Sequence, residues 1–171
     1  MGLDNGVICR VSSEKYNFKI EYEVCYWRKY WNLRDDIFKA IDTTFEYNIN
    51  LTENMINDLY DVFDYYAQDI RRIKEREGLS TIWSFTDEYK NILRSRDNFF
   101  CIKELLNGNM TLQEFIDTTY EQNSCSAYTG LDDDAYDIIA DFQDNPKEEG
   151  DIFICGDDSD IKISFEFYDS Y

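Results

Sequence analysis

Carboxylates dominate the reactive side chains of this sequence, which has 36 Asp and Glu and no His. Without His, the chain can build no Ser-His-Asp or Cys-His nucleophile and has no histidine general base. The segment Asp160-Ile161-Lys162, with Asp151 upstream, resembles the Asp…(Asp/Glu)-x-Lys pattern of metal-dependent nucleases. In that pattern the carboxylates hold Mg²⁺ and the lysine steadies the attacking water. The pattern is short, however, and its acidic neighbourhood would repel a phosphate substrate.

The acids are unevenly distributed along the chain. Residues 104–171 hold eighteen Asp or Glu and only two bases, Lys147 and Lys162, whereas residues 1–103 are close to neutral. Repulsion among so many carboxylates opposes compaction, so the charge needs a reason. One such reason is a strongly basic partner. The other reading is an acidic surface that only keeps the protein in solution.

The pattern of residues 131–143 predicts an amphipathic helix, whose apolar side consists of Ala135, Ile138, Ile139 and Phe142. Four acids on another face fall within about 80° of one another. Carboxylates four residues apart on a helix lie about 5–6 Å from each other, which resembles phosphate spacing along a nucleic-acid strand. The predicted partner-binding residues are Asp133, Asp137, Asp141, Asp144, Glu148, Glu149, Asp157, Asp158, Asp160 and Glu166.

These acids favour a non-enzymatic inhibitor that imitates nucleic acid. Its partner would be a basic protein of the host, a nuclease or a defence component, bound rapidly and in a salt-sensitive way. One alternative is an immunity protein that neutralises a basic toxin. Another is the Mg²⁺-dependent nuclease built on Asp151, Asp160 and Lys162. Direct binding of nucleic acid is disfavoured by the net charge of −19, and the sequence does not indicate an oligomeric state.

The sequence predicts neither a cofactor nor a dedicated metal site. The acidic segments do not fit the EF-hand loop, which needs alternating acids, a Gly at its sixth position and a closing Glu. Five Cys are scattered without a C-x-x-C pair, which indicates reduced and mostly buried thiols.

The stretch Tyr26-Trp27-Arg28-Lys29-Tyr30-Trp31, with Arg34 beyond it, combines aromatic and basic side chains. Such a combination can stack on bases. The aromatic positions, however, continue at helical spacing into Leu33, Ile37 and Phe38, which favours packing in the core over a partner or nucleotide surface.

Periodicity predicts the elements that would position these residues. Strands are predicted at 6–11, 18–23, 151–155 and 161–168, and helices at 27–45, 52–78, 86–107 and 131–143, with one more helix after a Thr111–Glu114 capping box. In the last strand Ile161, Ile163, Phe165 and Phe167 are expected to share one face. Residues 1–171 are therefore predicted to form a single α+β domain. Its mostly antiparallel sheet would come from the N- and C-terminal strands, with about five helices between them, and the chain would be strongly acidic from about residue 104.

The longest apolar stretches are four or five residues, and no cationic start precedes an apolar run, so we expect a cytoplasmic protein and no membrane partner. Met-Gly-Leu-Asp-Asn-Gly at the start and Cys25-Tyr26-Trp27-Arg28-Lys29 resemble uncharacterised small proteins of phages and prophages. The resemblance covers about the first 35 residues and brings no activity or functional residue with it. It implies expression in a bacterial cytosol, where phages often produce acidic proteins that disable host defences.

Overall fold

A six-stranded antiparallel sheet organises the protein. The computed structural model describes residues 4–28, 31–42, 48–77, 83–121 and 133–170. The strands are β1 (Asp4–Ser13), β2 (Phe18–Arg28), β3 (Asn48–Asn50), β4 (Lys147–Glu149), β5 (Ile152–Cys155) and β6 (Ile161–Ser170), and the helices are α1 (Trp31–Ala40), α2 (Glu53–Glu77), α3 (Trp83–Leu106), α4 (Leu112–Glu121) and α5 (Asp133–Ala140). The strand order is β2-β1-β6-β5-β4, and β3 also pairs with β6. The predicted fold class, an α+β domain with an antiparallel sheet from N- and C-terminal strands, is confirmed.

Strand β6 buries one of its faces because every second residue of it is apolar. Ile161, Ile163, Phe165 and Phe167 are fully buried, as predicted, and side chains two apart along a strand share a face. Strand β1 lies between β6 and β2, with Val11 opposite both Ile163 and Ile20. The first and last strands, β1 and β6, are therefore neighbours in the middle of the sheet.

The helices cover one face of this sheet. Phe63 of α2 and Trp27 of β2 pack with ring centroids 4.7 Å apart. Helix α3 lies along β2, where Asn98 Nδ2 donates to the Val24 carbonyl at 2.6 Å and Ser95 Oγ donates to the Tyr26 carbonyl at 3.2 Å. These bonds satisfy carbonyls beside the β-bulge of β2, where the ladder leaves backbone groups unpaired. Polar side chains such as Arg10 and Glu166 point to the opposite face.

A buried ion pair joins α1 to the sheet. Arg34 of α1 donates to Asp169 of β6 through Nε at 3.0 Å and Nη2 at 2.7 Å. Asn5 of β1 also donates to this carboxylate through Nδ2. Phe38 packs edge-on against Phe167, with ring centroids 5.8 Å apart. A polar cluster and an aromatic contact thus join helix α1 to β6.

Several local predictions are confirmed by hydrogen bonds at helix ends. Thr111 and Glu114 form the capping box, in which the Thr111 N–H donates to Glu114 Oε2 at 2.8 Å and the Glu114 N–H donates to Thr111 Oγ1 at 3.2 Å. Helix α3 ends at Leu106, one residue before the predicted end, and Gly108 just beyond it has a φ of +78°, which suits a residue without a Cβ.

The predicted helix 27–45 is wrong at its start, because β2 continues to Arg28 and α1 begins at Trp31, and it is too long at its end, because α1 ends at Ala40. Trp27 lies opposite Asn5 in the sheet and is fully buried. This aromatic residue is therefore part of the core, as favoured by the sequence, but it lies on a strand and not on a helix. Lys29 and Tyr30 lie outside the described residues. The sequence also missed β3 and β4, which are three residues long each and show no alternation that could indicate a strand.

Candidate partner-binding surface

Helix α5 is shorter than the predicted helix 131–143, since it ends at Ala140, and residues 131 and 132 lie outside the described residues. The Asp141 N–H donates to the Ile138 carbonyl at 3.2 Å and the Phe142 N–H to the Ile139 carbonyl at 3.1 Å. These hydrogen bonds join residues three positions apart, as in a 3₁₀ helix, and they tighten the last turn where the helix ends. Asp144 lies beyond it, so the predicted regular row of four helical acids does not form.

The loop after α5 nevertheless lies beside the acidic turn between β5 and β6. A Cβ on Gly156 would lie 2.6 Å from Phe142 Cε1, which shows how closely the ring covers this glycine. Phe142 also meets Tyr16 of the β1–β2 turn edge-on, with ring centroids 6.1 Å apart. The Cys155 thiol donates to the Asp144 carbonyl at 3.8 Å. One aromatic side chain therefore joins three loops at the same end of the sheet.

We call this region the acidic end and define it as Asp141, Asp144, Asp157 and Asp158. All four side chains are exposed, and none makes an ion pair with another described residue. Asp157 and Asp158 lie in a single 3₁₀ turn, where Asp158 has a φ of +53°. That left-handed conformation is one that Asp and Asn tolerate better than most residues.

A groove of about 440 Å³ opens beside the acidic end. Its lining consists of Glu14, Lys15, Asp157, Asp158, Ser159, Asp160 and Lys162. Lys15 Nζ donates to Asp160 Oδ1 at 2.9 Å, and this bond raises the pKa of the lysine. Lys15 is so exposed that solvent weakens the attraction. The groove holds four carboxylates and two ammonium groups, so its formal charge is negative.

The predicted acids fall into three groups in the structure. Asp137 and Glu149, like the four residues of the acidic end, are exposed and unpaired with described residues. Three others, Glu148, Asp160 and Glu166, interact within the protein. The side chain of Asp133 lies outside the described residues.

Glu148 and Glu166 serve the fold. Glu148 Oε1 accepts the Glu53 N–H at 3.3 Å, which places a negative charge at the start of α2, where the helix dipole favours it. Glu166 Oε2 lies 3.0 Å from Arg10 Nη1, and Glu21 Oε2 lies 2.6 Å from Arg10 Nε. Burial lowers the pKa of Arg10, but the hydrogen bonds that Arg10 donates to the Glu166 and Glu21 carboxylates raise it by more, so the net shift is upward. Glu166 would have to leave this ion pair to bind a partner.

The residues proposed for a nuclease do not converge. Phe153 lies opposite Ile163 of β6, and the Leu51 N–H donates to the carbonyl of Phe165, two residues further along β6. Asp151, two residues before Phe153 in an antiparallel strand, therefore lies near Phe165. Asp160 precedes β6, so about five residues, or roughly 16 Å, separate the two acids. Asp151 accepts a hydrogen bond from Asn50 Nδ2 at 3.2 Å. In the described part of the chain, no three His, Cys, Asp or Glu side chains are grouped to hold a metal ion.

Sequence reasoning missed one further exposed surface. Tyr65 on α2 is 68% exposed, more than Tyr16 and Phe100, the other exposed large apolar residues whose burial the structure describes. Asp58, Asp61 and Asp69 lie on the same side of the helix and are also exposed. The signal was available in the spacing of these residues, but they belong to the near-neutral part of the chain.

Comparison with known proteins gives no match to a family model, to a curated protein or to a solved structure. Among the helices in the described ranges, none is long and apolar enough to span a membrane.

Proposed function

We propose that the protein is a non-enzymatic acidic inhibitor that binds a basic, nucleic-acid-handling surface of another protein in a bacterial cytosol. The observation that carries this proposal is the acidic end. Asp141 and Asp144 lie beside Asp157 and Asp158 because Phe142 covers Gly156. Their carboxylates are exposed and unpaired with described residues, so they are available to a cationic partner.

The arrangement of the acids supports binding rather than internal stabilisation. Acids with structural tasks, such as Glu148 and Asp169, have partners within the fold. The exposed acids of the acidic end repel one another and make no ion pair with a described residue. Opposite charge on a partner would remove this repulsion and would speed association. Catalysis by Asp151, Asp160 and Lys162 is less well supported, because the two acids are offset by about 16 Å along the direction of β6.

Competition with nucleic acid tests the proposal. Tagged protein is used to capture proteins from bacterial lysate, and duplex DNA or RNA is then added. We expect a basic protein to be captured at low salt and released by the duplex. The reason is that this protein and the duplex would compete for the same basic groove of the partner.

Two paired variants locate the binding surface. Asp157→Asn/Asp158→Asn should weaken capture about 2- to 30-fold, if each lost contact is an exposed ion pair. Asp35→Asn/Asp42→Asn removes the same charge from exposed positions on and after α1, and Asp42, like Asp158, has a positive φ. This control should bind like the unmodified protein. The proposal fails if duplex nucleic acid does not compete, or if both variants bind equally well.

A further inference from the structure

The outer face of α2 carries a row of three acids and one tyrosine. Asp58, Asp61, Tyr65 and Asp69 fall within about 80° around the helix and span about 16 Å along it. The opposite side is the buried stripe of Ile56, Leu59, Phe63 and Ala67. The row therefore points away from the core, and Tyr65 gains little from burial within the protein.

The exposed Tyr65 ring contacts a second ring that is itself tied to α1. It meets the ring of Tyr66 edge-on, with centroids 5.8 Å apart. Tyr66 in turn donates its hydroxyl to Asp36 Oδ2 on α1 at 2.6 Å. An aromatic side chain that is already positioned loses less conformational entropy when it binds a partner.

The inner flank of α2 shows what a tyrosine and an aspartate at this spacing can bind. Tyr60 and Asp64 are four residues apart, and Arg96 of α3 lies against both. The guanidinium carbon of Arg96 lies 5.7 Å from the Tyr60 ring centroid. Arg96 Nε donates to Asp64 Oδ1 at 3.0 Å. One arginine therefore combines a cation–π contact with an ion pair on a single turn of helix.

Tyr65 and Asp69 repeat this spacing five residues further along, but on the outer face. Asp61 lies one turn before Tyr65 and supplies a second carboxylate. The acids of the row make no ion pair with a described residue, whereas Asp64 is paired with Arg96. We infer that Tyr65 and Asp69 bind an arginine side chain of a basic partner protein, with Asp61 adding negative charge beside it.

This inference rests on the proposed function for the nature of the partner and adds a second contact surface. The Glu148–Glu53 hydrogen bond links the start of α2 to the C-terminal acids. Arginine is favoured over lysine because its planar guanidinium stacks on a ring and donates to a carboxylate at once.

The experiment is an amide NMR titration of the full chain with capped hexa-arginine, and with hexalysine of equal charge. We expect saturable shifts at residues 61–69 with hexa-arginine and weaker binding of hexalysine there. Tyr65→Ala should weaken hexa-arginine binding at these amides about two- to fivefold. Tyr65→Phe, which keeps the ring, should retain it.

Charge variants complete the design. Asp69→Asn should weaken the site, whereas Asp35→Asn, on α1, should not. Equal binding of the two peptides at residues 61–69, or no effect of Tyr65→Ala in a chain with an unchanged amide spectrum, overturns the inference. Shifts confined to residues 141–158 also overturn it and leave the proposed function standing, since competition by duplex nucleic acid decides that separately.

Discussion

Replacing Asp169 by Ala should strongly destabilise the protein, because it removes the charged partner of a buried arginine. The Asp169 and Arg34 side chains are 5% and 9% exposed. The substitution removes both hydrogen bonds from Arg34, at 3.0 and 2.7 Å, and the bond from Asn5. Loss of one partner of a buried ion pair costs about 3–5 kcal/mol. The orphaned Asn5 amide places Asp169→Ala in the upper part of that range.

Urea and thermal denaturation followed by circular dichroism measure this effect. For a chain of this size, about 3–5 kcal/mol corresponds to a fall in Tm of about 6–20 °C. Lys39→Ala is the control, since the Lys39 and Asp36 side chains are 77% and 42% exposed and such a pair contributes less than about 1 kcal/mol. The double variant Arg34→Met/Asp169→Leu should recover most of the loss, because it leaves no buried charge. The reasoning is refuted if Asp169→Ala stays within about 1 kcal/mol of the unmodified protein, or if the double variant is less stable than Asp169→Ala.

Three further predictions follow from local contacts. Thr111→Ala should lower the free energy of unfolding by about 1 kcal/mol through loss of the α4 cap; an unchanged urea midpoint would contradict this. Burial raises the pKa of Glu23, although the hydrogen bond from Tyr168 opposes the shift, so the native state favours the protonated acid and loses stability as pH rises through that pKa. Glu23→Gln should remove this loss. The urea midpoint of the variant minus that of the unmodified protein should therefore increase from pH 4 to pH 7, and a difference that does not change with pH would contradict the prediction. Burial raises the pKa values of Cys9 and Cys155 to about 12, which leaves about one thiol in 10⁴ ionised at pH 8. Peptide mapping after iodoacetamide treatment should therefore find both unmodified until the protein is denatured, and rapid native labelling would show that they are accessible.

The sequence predicts those elements whose signals are local. Strand β6 is recognisable from the alternation of Ile161, Ile163, Phe165 and Phe167, and all four are buried. The capping box at Thr111 depends on residues three positions apart and forms as predicted. Strand β2 is different, because Trp27 and Tyr26 precede a helix whose apolar spacing they happen to match. What places Trp27 in a strand is its pairing with Asn5, which no local pattern shows.

The sequence predicts which acids could form the candidate surface, but not how they are arranged. The sequence identifies the C-terminal acids, but it cannot show which of them have partners within the fold. Asp160 lies beside Lys15 because the β1–β2 and β5–β6 turns meet at one end of the sheet. The gathering of Asp144 with Asp157 depends on the contact between Phe142 and Gly156. Both contacts join residues that are distant along the chain, so they follow from the topology of the sheet.

The order of the strands brings bases of the near-neutral N-terminal part next to acids of the acidic C-terminal part. Because β1 lies next to β6, Arg10 of the near-neutral part reaches Glu166 of the acidic part. Arg34 and Lys15 reach Asp169 and Asp160 in the same way. Three acids on or just before β6 are therefore neutralised by bases from the N-terminal part.

Among the acids that make no ion pair with a described residue are those of the acidic end and those on the outer face of α2. These carboxylates lower the stability of the folded state by mutual repulsion, and the fold does not need them. If they exist to bind a basic partner, their replacement by amides should raise the free energy of unfolding at low salt while weakening capture of the partner. Asp157→Asn/Asp158→Asn allows both quantities to be measured on one protein. A variant that is more stable and binds as well as before would show that the charge serves only to keep the protein in solution.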